Sequence, residues 1–178
     1  MREVTVGDKT FELFIDADTL AERVRVLGQQ INSDFSDKKP LFLVLLKGAY
    51  VFASDLIKHF EHEWTLSFFR LSSYRGMESS GELMLLDTFG TEIQNRHVIV
   101  VEDIVDTGNT LSAFLPALKS VRPASVQVVS LLSKPEVLQG KIHIDYLGFE
   151  IPPAFVVGYG LDYNEAGRNF PAIYQLKK

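Results

Sequence analysis

The sequence predicts an α/β fold: a central, mostly parallel sheet flanked by helices, in a single domain spanning residues 1–178. Leu41–Leu46, Val98–Val101 and Ser125–Leu132 are largely apolar runs without strict alternation, as strands buried on both faces require. Two of these runs pass through a short glycine-containing turn into a segment with helical apolar spacing. The chain has 178 residues, 46% of them hydrophobic, enough to bury one sizeable core.

The remaining composition narrows the function. A net charge of −5 argues against non-specific binding to nucleic acid or membrane. The absence of cysteine excludes disulfides, thiolate catalysis and cysteine-ligated metal. The histidines, His59, His62, His97 and His143, form no zinc-like cluster. His59 and His62 read better as a solvated helix face. No apolar run approaches the ~20 residues of a membrane span, and Met1–Thr5 lacks a signal-peptide apolar region. A cytoplasmic protein is the default expectation.

Val4–Val6 and Thr10–Ile15 are expected as short strands around a Gly7-Asp8-Lys9 turn. Ala17–Ile31 is expected as a helix whose stripe, Leu20, Val24, Leu27 and Ile31, packs on the core. Ser33–Pro40 reads as a surface loop. The Leu41–Leu46 strand runs into Lys47-Gly48-Ala49-Tyr50, then a helix from about Val51 to His62. Lys47 and Gly48 read either as a plain turn or as backbone donors plus a cation for a diphosphate. Trp64–Leu71 is a further strand. The polar stretch Ser72–Glu82 after it reads as a hairpin loop or as a lid over a site. Pro116 should kink the helix from about Asn109 to Val121 near residue 115, or break it earlier. Lys134 ends the Ser125–Leu132 region, where a cation could meet a ligand carbonyl or simply be solvated. Tyr146–Phe149 and Phe155–Gly160 are the last strand-like segments, separated by Ile151-Pro152-Pro153. Phe155 reads as core or as a ring stacked on a planar heterocycle, and Asp162 as a cap or a metal ligand.

The most informative stretch is V-E-D-I-V-D-T-G-N-T, Val101–Thr110. A buried strand ends in Glu102 and Asp103, with Asp106 just beyond, and a small polar turn leads into a helix. Ligands of open α/β sheets bind outside the carboxyl ends of the strands. A Gly- and Thr-containing turn before a helix offers N–H groups and hydroxyls to an anion. Carboxylates beside such a cradle make sense if they hold sugar hydroxyls, a proton or Mg²⁺. A phosphorylated sugar with a divalent metal satisfies all of these. The alternative, a solvated loop and an ordinary helix cap, stays open on spacing alone. Walker and dinucleotide glycine motifs are absent.

V-E-D-I-V-D-T-G-N-T resembles the phosphoribosyl-diphosphate signature of the type I phosphoribosyltransferases, in the form of their hypoxanthine-guanine branch. F-V-V-G-Y-G-L-D-Y-N-E, L-K-G, R-L-S-S-Y and L-L-S-K-P follow the same family's order, over about residues 40–170. The resemblance implies that family's fold, with a flexible lid loop and a small hood. It implies purine salvage: a 6-oxopurine and phosphoribosyl diphosphate as substrates, Mg²⁺ as cofactor, and a homodimer or homotetramer. It assigns the ribose hydroxyls and the metal to Glu102 and Asp103, and the general acid/base at purine N7 to Asp106. Ile104 and Asp106 through Thr107, Gly108, Asn109 and Thr110 form the ribose-phosphate site. Leu46, Lys47 and Gly48 form the pyrophosphate loop, often with a cis peptide bond, and Arg168 meets the same group. Ser73 and Tyr74 sit on the lid. Lys134, Phe155 and Val156 hold the purine, with Asp162 beside it as a ligand of a second Mg²⁺. Asn109 stands where some members carry lysine, and Ala49 where others have glycine or serine. Two rival readings are a xanthine-preferring enzyme and a non-catalytic regulatory protein on the same fold.

Overall fold

The computed structural model describes residues 2–73, 83–85 and 89–177. An antiparallel hairpin, β1 (Glu3–Val6) and β2 (Lys9–Ile15), precedes helix α1 (Ala17–Asp34). Asp16 caps α1, accepting from the Thr19 N–H at 2.8 Å. Then come β3 (Leu41–Leu46), α2 (Tyr50–Leu56), β4 (Thr65–Ser73) and β5 (Leu83–Leu85). β6 (His97–Val105), α3 (Asn109–Ser120), β7 (Ser125–Ser133), the single turn α4 (Pro135–Leu138) and β8 (Tyr146–Glu150) follow. β9 (Val156–Val157) and β10 (Ile173–Leu176) close the described chain.

The main sheet has the order β5-β4-β3-β6-β7-β8. Its β4, β3, β6, β7 and β8 run parallel, and β5 is antiparallel on the edge. The unbroken apolar runs are explained by burial on both faces. Phe42, Val44, Ile99 and Val101 pack with the α1 and α2 side. Leu41, Leu43, Leu45, Val98 and Val100 pack with Leu111, Phe114 and Leu118 of α3. Each such large side chain contributes roughly 1.5–3 kcal/mol by leaving water. Parallel strands put all five carboxyl ends on one edge, where the acidic turn after β6 lies.

A second, antiparallel sheet, β1-β2-β10-β9, joins both ends of the chain and forms the small hood. It ties the segment after β9 down, so that residues 158–172 fold back toward the edge of the main sheet.

Some local expectations change. The second helix stops at Leu56, and Ile57–His59 tightens into a 3₁₀ turn. His59 packs against Gly28 of α1, where a Cβ would overlap it. Pro116 does not break α3, which runs unbroken from Asn109 to Ser120. Pro116 lacks the N–H that would serve the Ser112 carbonyl, and both residues lie on the exposed side of α3. Of Phe155–Gly160 only Val156–Val157 is strand. Among the described residues no helix is long and apolar enough to cross a membrane.

Candidate active site

Four loops at the carboxyl edge of the sheet converge, and their contacts are long-range in sequence. The first follows β3. The Leu46–Lys47 peptide bond is cis, and Gly48 lies flat against the end of β6. A Cβ at Gly48 would overlap the Asp103 carboxylate, so only glycine allows this approach. The Gly48 carbonyl in turn abuts Gly160, which has φ +100° and equally no room for a Cβ.

Glu102 and Asp103 sit within β6 itself. Burial, reinforced by the neighbouring Asp103 charge, pushes the Glu102 carboxyl well above its ordinary range. Burial raises Asp103 to about 6, against the opposing pull of the Ile104 N–H and the Arg168 charge, while Asp162 adds to the rise. The Ile104 N–H donates to Asp103 Oδ1 at 2.9 Å. A buried acid beside a half-buried one, both with raised pKa values, is a donor set that a cation would relieve. Among the described residues no three His, Cys, Asp or Glu side chains converge as a metal-binding group.

Beyond β6 the chain turns through Asp106, Thr107 and Gly108 into α3. Gly108 is the N-cap residue, in the left-handed region at φ +74°, and no side chain caps the helix. The Thr107 hydroxyl lies 3.4 Å from the Asn109 N–H, at the long limit of a hydrogen bond. The ordinary side-chain cap is therefore absent, and apart from that long contact the first turn of a twelve-residue helix keeps its donors and positive dipole end for another acceptor.

Lys134 follows β7, and its N–H continues the β6–β7 pairing by donating to the Val105 carbonyl at 3.1 Å. Its Nζ donates to Asp106 Oδ2 at 2.7 Å. Two residues 28 apart in sequence thus form one charge pair at the mouth of the site. Phe155 stands at the rim, 48% exposed. Its ring lies edge-on to Tyr163, with centroids 5.9 Å apart, and 6.2 Å from Phe11 of the hood. Val156 beside it is buried and pairs with Gln175 of β10.

The last loop brings Asp162 and Arg168. The Arg168 guanidinium bonds Asp162 Oδ1 at 2.8 Å, Glu165 Oε2 at 3.2 Å and the Gly160 carbonyl at 2.8 Å. Lys47 reaches across to the same Glu165 Oε2 at 2.9 Å. Lys47 and Arg168 hold the Glu165 carboxyl below its usual range. The Tyr159 hydroxyl donates to Asp55 at 2.6 Å, clamping this loop to α2.

The expected residues thus fall into three connected groups. Lys134 and Asp106 form one. In another, Gly48 packs on Asp103 and Lys47 joins Arg168 and Asp162 through Glu165, with Leu46 at the end of β3 leading into it. The Thr107–Thr110 turn forms the third. Phe155 and Val156 lie on the hood side and touch Phe11, Tyr163 and β10 rather than the charged groups. Of the two residues expected on a lid, Ser73 ends β4, paired with Leu83, and Tyr74 lies outside the described residues. Glu165 was not among the residues the sequence singled out. The acid–base spacing Asp162, Glu165, Arg168 was a signal that could have found it.

The phosphoribosyl transferase domain model matches residues 16–164. The hypoxanthine-guanine phosphoribosyltransferase of Bacillus subtilis (strain 168) is 39% identical over 167 residues, covering 93% of each chain. A hypoxanthine-guanine phosphoribosyltransferase structure from Bacillus anthracis superposes with a TM-score of 0.86 at 36% identity, covering 94% of this chain and 97% of that one. A hypoxanthine phosphoribosyltransferase from Staphylococcus aureus gives a TM-score of 0.87 at 38% identity, covering 93% and 91%. The fold and the acidic turn at its sheet edge are those of an enzyme that transfers a phosphoribosyl group. The chain belongs to the phosphoribosyltransferase family, in its hypoxanthine-guanine branch.

Proposed function

We propose that this protein transfers the phosphoribosyl group of 5-phospho-α-D-ribose 1-diphosphate to N9 of hypoxanthine or guanine, giving IMP or GMP and pyrophosphate. The observation that carries the reading is the 2.7 Å Lys134–Asp106 pair beside the uncapped start of α3. N7 and the 6-oxo group share one edge of a 6-oxopurine. A cation and a carboxylate side by side match that edge, one donating to O6 and the other facing N7.

The first-turn N–H groups of α3, with the Thr107 and Thr110 hydroxyls, would take the 5′-phosphate. Glu102 and Asp103 would hold the ribose 2′- and 3′-hydroxyls. The backbone at Lys47–Gly48, the Lys47 ammonium and the Arg168 guanidinium would take the diphosphate. As N9 attacks C1, the C1–O bond to the diphosphate breaks and its electron pair leaves with pyrophosphate. Asp106 hydrogen-bonds to N7–H or accepts its proton, which makes N9 the better nucleophile. Lys134 stabilises the charge that gathers on O6. Phe155 stacks on the ring, and the Val156 backbone reads its edge. Glu102, Asp103 and, for a second ion, Asp162 would hold Mg²⁺. Bound there, Mg²⁺ would neutralise charge on the leaving diphosphate. Ser73 and Tyr74 are proposed to close over the site and exclude water. A homodimer or homotetramer is part of the same reading, and light scattering decides it.

Initial velocities with the diphosphate sugar and Mg²⁺ against hypoxanthine, guanine, xanthine and adenine test the proposal. It predicts turnover of hypoxanthine or guanine that EDTA abolishes and Mg²⁺ restores. Turnover of xanthine alone would keep the chemistry and change the substrate. Binding of the sugar without turnover of any base would point to a regulatory protein.

A further inference from the structure

Glu165 is an odd residue for its place. Tyr163 and Ala166 pair with each other through both backbone bonds, at 2.9 and 3.1 Å, around a two-residue turn. The turn residues, Asn164 and Glu165, have φ of +51° and +67°. Both central positions of such a turn favour Gly, Asn or Asp. Asn164 fits that rule and glutamate does not. The Glu165 N–H donates to Asp162 Oδ2 at 2.8 Å, which pins the turn to the site. This conformation brings the carboxylate across to the loop after β3, where the single oxygen Oε2 meets Lys47 at 2.9 Å and Arg168 at 3.2 Å. An anion thus already sits between the two cations that a diphosphate would use.

We propose that Glu165 is the resident anion of the diphosphate site: it holds Lys47 and Arg168 in place in the free enzyme, yields them to an arriving diphosphate, and reclaims them as pyrophosphate leaves. The inference rests on the reading of Lys47 and Arg168 as diphosphate-binding cations. Glu165 is a positioning residue, because it acts through those side chains and not on the reacting atoms. Its effect is to weaken diphosphate binding by the two contacts that must first be broken. It also keeps Arg168 ordered against Gly160 and Asp162 between turnovers. Product release limits many well-evolved enzymes, so a built-in competitor for the product is useful where the leaving group is a strongly bound anion.

The decisive variant is Glu165→Gln, which keeps size and removes charge. The pyrophosphate inhibition constant should tighten about three- to tenfold, as expected for two exposed charge contacts. The KM for hypoxanthine should stay within about twofold. The rate of pyrophosphate release should fall with the tighter binding. Glu165→Gly suits the positive φ and lacks the carboxylate, so it should show the same tightening without strain in the turn. A crystal structure of the wild-type pyrophosphate complex should show Lys47 and Arg168 on the diphosphate and the Glu165 carboxylate turned away. Unchanged or weaker pyrophosphate affinity in both variants overturns the inference, as does a complex in which Glu165 still bridges both cations. If the wild-type enzyme turns over while the variants show no tightening, only this inference fails. If the wild-type enzyme forms no nucleotide from any 6-oxopurine, the functional reading fails and takes this one with it.

Discussion

The site carries a lysine–carboxylate pair at each end, and the two are built differently. Lys134 is 11% exposed and its partner Asp106 46%, whereas Lys47 and Glu165 are 57% and 65% exposed. The first pair is anchored by the β6–β7 ladder, through the Lys134 N–H and the Val105 carbonyl. The second spans two loops, each shaped by special backbone: a cis peptide at Leu46–Lys47 and left-handed residues at Asn164 and Glu165. A cation shielded from water interacts strongly and directionally, which suits reading the edge of a base. An exposed pair is worth little and is readily exchanged, which suits a diphosphate that must enter and leave. On the proposed function, the comparison separates specificity and proton handling at one end from anion traffic at the other.

The largest effect should come from the purine end. Asp106→Asn removes the proton acceptor and should lower kcat about 10²–10⁴-fold in initial-velocity assays. Gly48→Ala should come next. The new methyl meets the Asp103 carboxylate, and overpacking of this kind costs about 1–3 kcal/mol. It should show as a lower Tm together with at least about a tenfold loss of kcat/KM. A normal Tm and normal activity would mean that the β3 loop does not need its close approach to Asp103. Lys134→Ala should raise the KM for the base about 10- to 100-fold, since a charge-assisted hydrogen bond is lost. The KM for the diphosphate sugar should move little. An equal rise in both would show that the two ends are one unit.

The smallest effect concerns the clamp behind the diphosphate loop. Burial alone would raise Asp55, but hydrogen bonds from Lys58 and Tyr159 outweigh it and hold the carboxyl below its ordinary value. A depressed carboxyl contributes stability that is present above the ordinary aspartate pKa and is lost as pH falls through the folded one. Wild-type Tm should therefore drop more steeply below about pH 4 than that of Asp55→Asn, by about 1–3 °C, in thermal scans across that range. Parallel curves would remove Asp55 from the account of acid stability.

Much of the fold was legible because it is local. The β3, β6 and β7 strands announced themselves as runs without alternation, and α1 as a single stripe. Glu102 and Asp103 were legible as acids near the carboxyl end of a strand, but the strand was expected to stop at Val101, whereas β6 pairs with β7 as far as Val105 and carries both acids within it. What stayed hidden depends on distance in sequence. Nothing near Lys134 says that it will meet Asp106, because that pairing is set by the register of two parallel strands. Gly48 looked like a turn glycine, and its reason is a carboxylate 55 positions away (Asp103). The turn after β9 defeats periodicity, since bridges and left-handed residues shape it rather than a repeating pattern. Glu165 was missed for that reason. Of the two outcomes expected at Pro116, an earlier break does not occur: the proline lies on an exposed helix face and α3 continues through it to Ser120.

The separation of the two ends is tested most directly by equilibrium binding of pyrophosphate, with Mg²⁺ present, to wild-type protein and to Asp106→Asn side by side. The account predicts affinities within about twofold of each other, although the variant has lost its turnover. A pyrophosphate affinity that falls in step with kcat would contradict it, and would make Asp106 part of the framework of the whole site rather than the proton acceptor of one end.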